Sequence, residues 1–141
     1  GLVMTALPSI VMSPRDHERL TNVARAALRT VPGVADYLLR ELDRAEVTHP
    51  DTTPKKRVTM GSHVEFRDNE TGRVRSIQLV YPAEADPQAG RISVLTPIGA
   101  ALVGLSEGKT IPWVGRSGEK RTLTVLKVGT DDSGPIHYAD M

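Results

Sequence analysis

The sequence contains no cysteine, which excludes a disulfide framework, a thiolate nucleophile and a cysteine metal site, and fits a reducing cytosol. Aromatics are scarce: one Phe, one Trp and three Tyr leave little from which to build a pocket walled by rings. Charge of one sign is also lacking. Eighteen basic residues against 17 acidic ones give a formal net charge of +1, so nothing points to non-specific binding of nucleic acid through its phosphates, and no sequence-specific nucleic-acid binding is expected. No apolar run is long enough to span a bilayer. Residues Leu2 to Met12 are partly apolar, but they lack a basic start and contain Pro8, so they do not read as a signal segment. The chain reads as soluble and cytoplasmic, with no membrane partner.

Catalytic signals are equally thin. The histidines His17, His49, His63 and His137 are scattered without metal-ligand spacing, and no G-x-S-x-G elbow accompanies them; chain order alone leaves a Ser-His-Asp arrangement open. The run Gly104-Leu105-Ser106-Glu107-Gly108-Lys109-Thr110 imitates a phosphate-binding loop. It has too few residues between its glycines, and a helix precedes it where a strand should. A tight helix-to-strand turn is the better reading. Glu41 and Asp43 are two apart and face different sides of a helix. Phe66, Tyr81 and Trp113 could floor a small pocket but read better as sheet core. No catalytic residue, metal site or cofactor site emerges, and an enzyme is not expected.

What the chain does contain is organised around residues Thr96 to Leu105. Thr96 suits a helix cap, Pro97 the first helical position, and Gly104 a left-handed terminating residue. Ile98, Ala101, Leu102 and Leu105 recur at helical spacing. So short a helix does not hold alone, and strand-like segments on both sides make it the expected plug of a small antiparallel sheet.

Upstream, residues 1–12 form a lead-in whose apolar part, Pro8 to Met12, reads as a strand or packing segment. Residues 13–46 read as two amphipathic helices folded back as an antiparallel hairpin. Ser13 caps the first helix, Pro14 and Asp16 occupy its first turn, and Leu20, Val23, Ala24, Ala27 and Leu28 form its stripe. The cluster Thr30-Val31-Pro32-Gly33 ends it. Val34, Leu38, Leu42 and Ala45, with Tyr37 beside them, line the second. At ~1.5 Å per residue the longer arm reaches only roughly 25 Å. Residues 47–57 read as a linker, with Lys55-Lys56-Arg57 as a solvated hinge. From Val58 the period becomes two. Val58 to Phe66 (with a break near Gly61-Ser62), Val74 to Tyr81, Ile92 to Leu95, Thr110 to Val114 and Thr122 to Val128 are the expected strands of a domain over 58–129, and Pro112 marks an edge or bulge. Residues 130–141 form a polar tail. The class is α+β.

These segments resemble the bacterial Rnk family, regulators of nucleoside diphosphate kinase, and more distantly the Gre-type transcript-cleavage factors of RNA polymerase. The matching blocks are Glu41 to Ala45, Val58 to Ser62, Val64 to Arg67, Leu79 to Ala83 and Ser93 to Leu105, continuing to Gly108 and Trp113. They keep their order and gaps from about Pro8 to Val128. The resemblance implies an FKBP-like C-terminal domain and an N-terminal helical hairpin.

For mechanism, the resemblance implies docking on RNA polymerase near its secondary channel. It carries Thr96, Pro97, Ile98 and Gly99 over as contact positions, although Thr96 and Pro97 read equally as the start of a helix. Gre-type factors hold a catalytic Mg²⁺ with an Asp and a Glu at the tip of a long coiled coil. Here the tip is Val31-Pro32-Gly33-Val34, and Asp36 alone cannot supply the two oxygen donors that a hard cation needs. The expectation is competition with Gre-type factors without RNA cleavage. Alternatives are direct modulation of nucleoside diphosphate kinase and, from the fold alone, prolyl isomerisation.

Overall fold

The structure is a computed structural model that describes residues 7–49, 56–115 and 117–129. The tail over 130–141, with His137, and most of the expected linker, including Lys55, lie outside the described residues. Helix α1 spans Pro14–Ala27, with the Asp16 amide donating to Ser13 Oγ (3.1 Å) as the cap predicts. Leu20, Ala24 and Ala27 are buried on its inner face, whereas Leu28 lies one residue past the helix and is exposed. Helix α2 spans Pro32–Arg44, so Pro32 opens the second helix as its first residue and Gly33 lies inside it. Four residues, 28–31, connect the two helices, and α1 and α2 pack on each other.

Strand β1 (Val11–Met12) and strand β2 (Glu46–Val47) pair in parallel at the base of the helices. Strand β2 falls at the end of the helical segment and the start of the expected linker, where the sequence pattern gave no strand. The Val11 amide, on the other side, donates to the Gly104 carbonyl (3.1 Å). The lead-in is therefore stitched both to the end of α2 and to the turn after the short central helix.

The main sheet comprises β3 (His63–Asp68), β4 (Val74–Val80), β5 (Arg91–Ser93), β6 (Thr110–Val114) and β7 (Lys120–Gly129), in the order β5-β4-β3-β7-β6. It is not the antiparallel sheet expected from the sequence: β5 runs parallel to β4. The cause is the connection between them. Residues 81–90 contain two short 3₁₀ turns and close on Gly90 at φ +79°. This carries the chain back far enough for Arg91–Ser93 to run alongside Gln78–Val80, the last residues of β4, in the same direction. Strand β6 is an edge, where Pro112 is tolerated. The strand expected from Val58 with a break near Gly61-Ser62 is regular only from His63, past that break: residues 58–62 turn, with Gly61 at φ +88° and Ser62 Oγ accepting the Thr59 amide.

Helix α3 (Pro97–Leu102) backs onto the sheet, followed by Gly104 in the left-handed region at φ +85°. Gly104 is doubly constrained, since a Cβ there would lie 2.8 Å from Ile10 Cβ. Leu20, Leu38 and Leu42 of the helices join Leu102, Phe66 and Leu123 in one continuous core. Each fully buried leucine contributes about 1.5–3 kcal/mol over its exposed state, so the helices and the sheet stabilise each other.

Candidate functional site

The sequence points to two separate places, the loop entering the short helix and the tip of the helical pair. The fold puts them on one groove. Val31, Gly33, Val34, Asp36 and Tyr37 form one wall of a cleft of about 550 Å³, and Leu95, Pro97, Trp113 and Val114 form the other. Pro97 and Trp113 also border a second cleft of about 470 Å³ on the concave face of the sheet. That second cleft is floored by Phe66, Ile77, Ile92 and Leu123 and rimmed by Asp68, Arg75, Glu119 and Arg121. Pro97 and Trp113 thus stand as a ridge between two open clefts.

The four loop residues divide by role. Thr96 Oγ1 accepts the Gly99 amide (3.1 Å) and donates to the Ser93 carbonyl (2.8 Å), so its hydroxyl is committed to capping α3. Gly99 is buried, and a Cβ there would lie 2.3 Å from the Ser93 carbonyl oxygen; this glycine is fixed by backbone approach. Pro97 and Ile98 are half-buried and border the concave cleft. They are the two of the four whose side chains remain available to a partner.

At the tip, Val31, Pro32 and Gly33 are exposed and Val34 is half-buried. Asp36 is exposed and pairs with Arg40 one turn on (2.8 Å), so the single carboxylate of the tip already faces a guanidinium. Among the described residues, no group of three or more His, Cys, Asp or Glu side chains is placed to hold a metal ion. His17 Nε2 lies 2.9 Å from the Leu42 carbonyl, which ties α1 to the last turn of α2. The Gly104–Thr110 stretch is a helix-to-strand turn, in which the Gly108 amide donates to the Val125 carbonyl (2.7 Å).

The rim of the concave cleft is electrostatically organised. Arg121 donates to Asp68 and lies 4.0 Å from Glu119. Burial pushes the Asp68 carboxyl up, but the Arg121 guanidinium and the amides of Glu70 and Thr71 outweigh it and hold the group below the usual carboxylate range. Arg121 lies 5.7 Å from the Trp113 ring centroid and Arg75 lies 5.8 Å from that of Phe66, within the range of cation–π contact. The indole Nε1 of Trp113 is buried without a hydrogen-bond partner among the described residues, an arrangement that costs about 1–3 kcal/mol.

Trp113 is the residue that sequence reasoning undervalued. It reads as sheet core beside Phe66, and Phe66 is indeed core at 1% exposure. Trp113 sits on the edge strand and is only half-buried. The signal was its neighbour, since Pro112 already marks that strand as an edge. Tyr81 lies elsewhere, under the Arg19 guanidinium at 4.3 Å.

The fold is thus a helical pair docked on a curled mixed sheet, with its tip and the loop before α3 bordering one groove. The Rnk N-terminus family matches residues 8–47, and the C-terminal family of the transcription elongation factors GreA/GreB matches residues 53–130. The regulator of nucleoside diphosphate kinase of Escherichia coli (strain K12) is 38% identical over 121 residues, covering 86% of this chain and 89% of that protein. Transcription elongation factor GreA of Syntrophobacter fumaroxidans is 41% identical over 81 residues, covering 57% of this chain and 52% of that protein. Among solved structures, a GreA/GreB elongation factor from Nitrosomonas europaea superimposes with a TM-score of 0.66 at 37% identity, covering 86% of this chain and 98% of that one. The chain belongs to the Rnk family, with a Gre-type C-terminal half.

Proposed function

We propose that this protein is a non-catalytic regulator that binds RNA polymerase near its secondary channel and competes there with Gre-type elongation factors. In this reading residues 58–129 are an FKBP-like platform that docks through Pro97 and Ile98, and residues 13–46 are a short hairpin presented beside it. The observation that carries the reading is the groove in which the apolar tip and the Pro97 loop face each other. One partner surface seated there meets both. The tip offers a cation one carboxylate, already paired with Arg40, so occupancy without RNA cleavage follows.

The test is binding to core RNA polymerase with a Gre-type factor as competitor. Mutual displacement supports the reading. Absence of binding at micromolar concentration overturns it, as does stimulation of RNA cleavage in stalled complexes that is lost in Asp36→Ala. The regulator name carried by the Escherichia coli relative favours a second reading, direct modulation of nucleoside diphosphate kinase. Addition of the protein to purified kinase, with phosphotransfer rate as the readout, separates a direct effect from one exerted through transcription.

A further inference from the structure

We propose that Pro112 closes the one open edge of the main sheet to strand addition, and that the strand it keeps out is β6 of a second copy of this chain. The inference stands on the sheet alone and does not rest on the polymerase reading.

A sheet ends on each side in a strand whose outward amides and carbonyls can template another chain. On the β5 side those groups are already taken. Asp86 and Arg91 exchange backbone hydrogen bonds (2.9 and 3.0 Å), and the Ser93 carbonyl accepts Thr96 Oγ1 (2.8 Å). On the opposite side β7 runs on past its pairing with β6, and its Val128 amide there donates to Glu107 Oε2 (3.0 Å). What is left open is β6.

The pairing of β6 shows which of its groups face out. The Val125 amide donates to the Lys109 carbonyl and the Gly115 amide to the Glu119 carbonyl (2.9 Å each). Alternation between these two points bonds residues 111 and 113 to β7 and turns residues 110, 112 and 114 outward. Thr110, Pro112 and Val114 are exposed, Val114 by 51%. Around the proline, Thr110, Ile111, Trp113 and Val114 are β-branched or aromatic and carry no charge, which is the composition of an adhesive strand. Pro112 sits at its centre with no amide to donate. When two copies of β6 meet antiparallel, every register that overlaps more than the strand ends places Pro112 opposite an outward residue of the other copy. Each such register loses ladder bonds at its middle, where a five-residue strand can least replace them. Partners therefore meet β6 through its side chains, not by extending the sheet.

The test compares the wild type with Pro112→Val by sedimentation from micromolar to millimolar concentration, with amide hydrogen exchange as the second readout. In the wild type the Thr110 and Val114 amides are expected to exchange freely at every concentration. Pro112→Val is expected to form a concentration-dependent dimer in which exchange at those two amides slows on the order of tenfold. Adding Val114→Lys to that variant puts a charge on the edge and is expected to return the monomer. Pro112 is exposed, so its replacement leaves the core untouched. If Pro112→Val nevertheless lowers the urea midpoint, Pro112→Ala, which restores the amide with a smaller side chain, decides. A variant that stays monomeric at the highest concentration overturns the assignment. So does a dimer whose Thr110 and Val114 amides remain unprotected, since the association then lies elsewhere. Wild-type association that protects both amides overturns it as well, because the edge is then open despite the proline.

Discussion

At its base the helical pair is locked to the sheet; at its tip it is nearly bare. At the base, Arg44 bonds both oxygens of buried Glu41 (2.6 and 2.9 Å) and reaches across to the Pro8 carbonyl (2.7 Å). Burial and the neighbouring Glu41 charge push the Tyr37 hydroxyl strongly upward in pKa, so it stays protonated beside that pair. Strands β1 and β2 close the end, and Gly104 lets Ile10 approach the turn after α3. At the tip, Val31 is 38% exposed, a Cβ on Gly33 would touch nothing within 4 Å, and the charged contact there is one exposed ion pair, Asp36–Arg40. The base fixes the direction of the arm. The tip contributes little to folding, so its sequence is free to answer to a partner.

The two glycines give the sharpest way to break this contrast. Gly104→Ala forces a side chain into the left-handed region and onto Ile10, whose strand is itself hydrogen-bonded to the same turn. The expected cost is about 2–4 kcal/mol, read as a lowered urea midpoint by Trp113 fluorescence. Wild-type stability would show that the base is not locked. Glu41→Gln comes next. It removes the charge that receives both Arg44 bonds at a position only 6% exposed, and about 1.5–3 kcal/mol should be lost. At the tip the sign reverses. Gly33→Ala replaces a flexible residue in the first turn of α2 with a better helix former in open space, and a gain of up to about 0.5–1 kcal/mol is expected.

The same contrast explains what the sequence could and could not reveal. Helix limits were legible where a cap residue and proline coincide, as at Ser13-Pro14 and Thr96-Pro97, because those signals act within one turn. The parallel β4–β5 pair and the small β1–β2 pair were not, because each is decided by where a connection lands in space and leaves no period in the chain. For the candidate site, each part was visible but the meeting was not. Nothing in residues 31–36 or around Pro97 announces that they face one groove, since their approach is set by the packing of α2 against α3. Trp113 was hidden for the opposite reason. Its alternation with Ile111 puts it on the inner face, and only the edge position of β6 leaves it half-open.

The smallest expected effect is the most informative about the tip. Asp36 and Arg40 are 54% and 79% exposed in their side chains, and such a pair contributes within about 0.5 kcal/mol, reduced further by salt. Asp36→Ala should therefore leave the urea midpoint within error. Polymerase binding should be close to wild type, because the apolar wall of Val31 and Val34 is untouched, and stalled complexes should show no change in RNA cleavage. A clear loss of binding with stability preserved would show that the tip works through its one carboxylate, contradicting the reading that its apolar surface meets the partner. Replacing Val31 with Ser separates the two cases: it should weaken binding if the apolar wall is the contact, and leave binding unchanged if the carboxylate is.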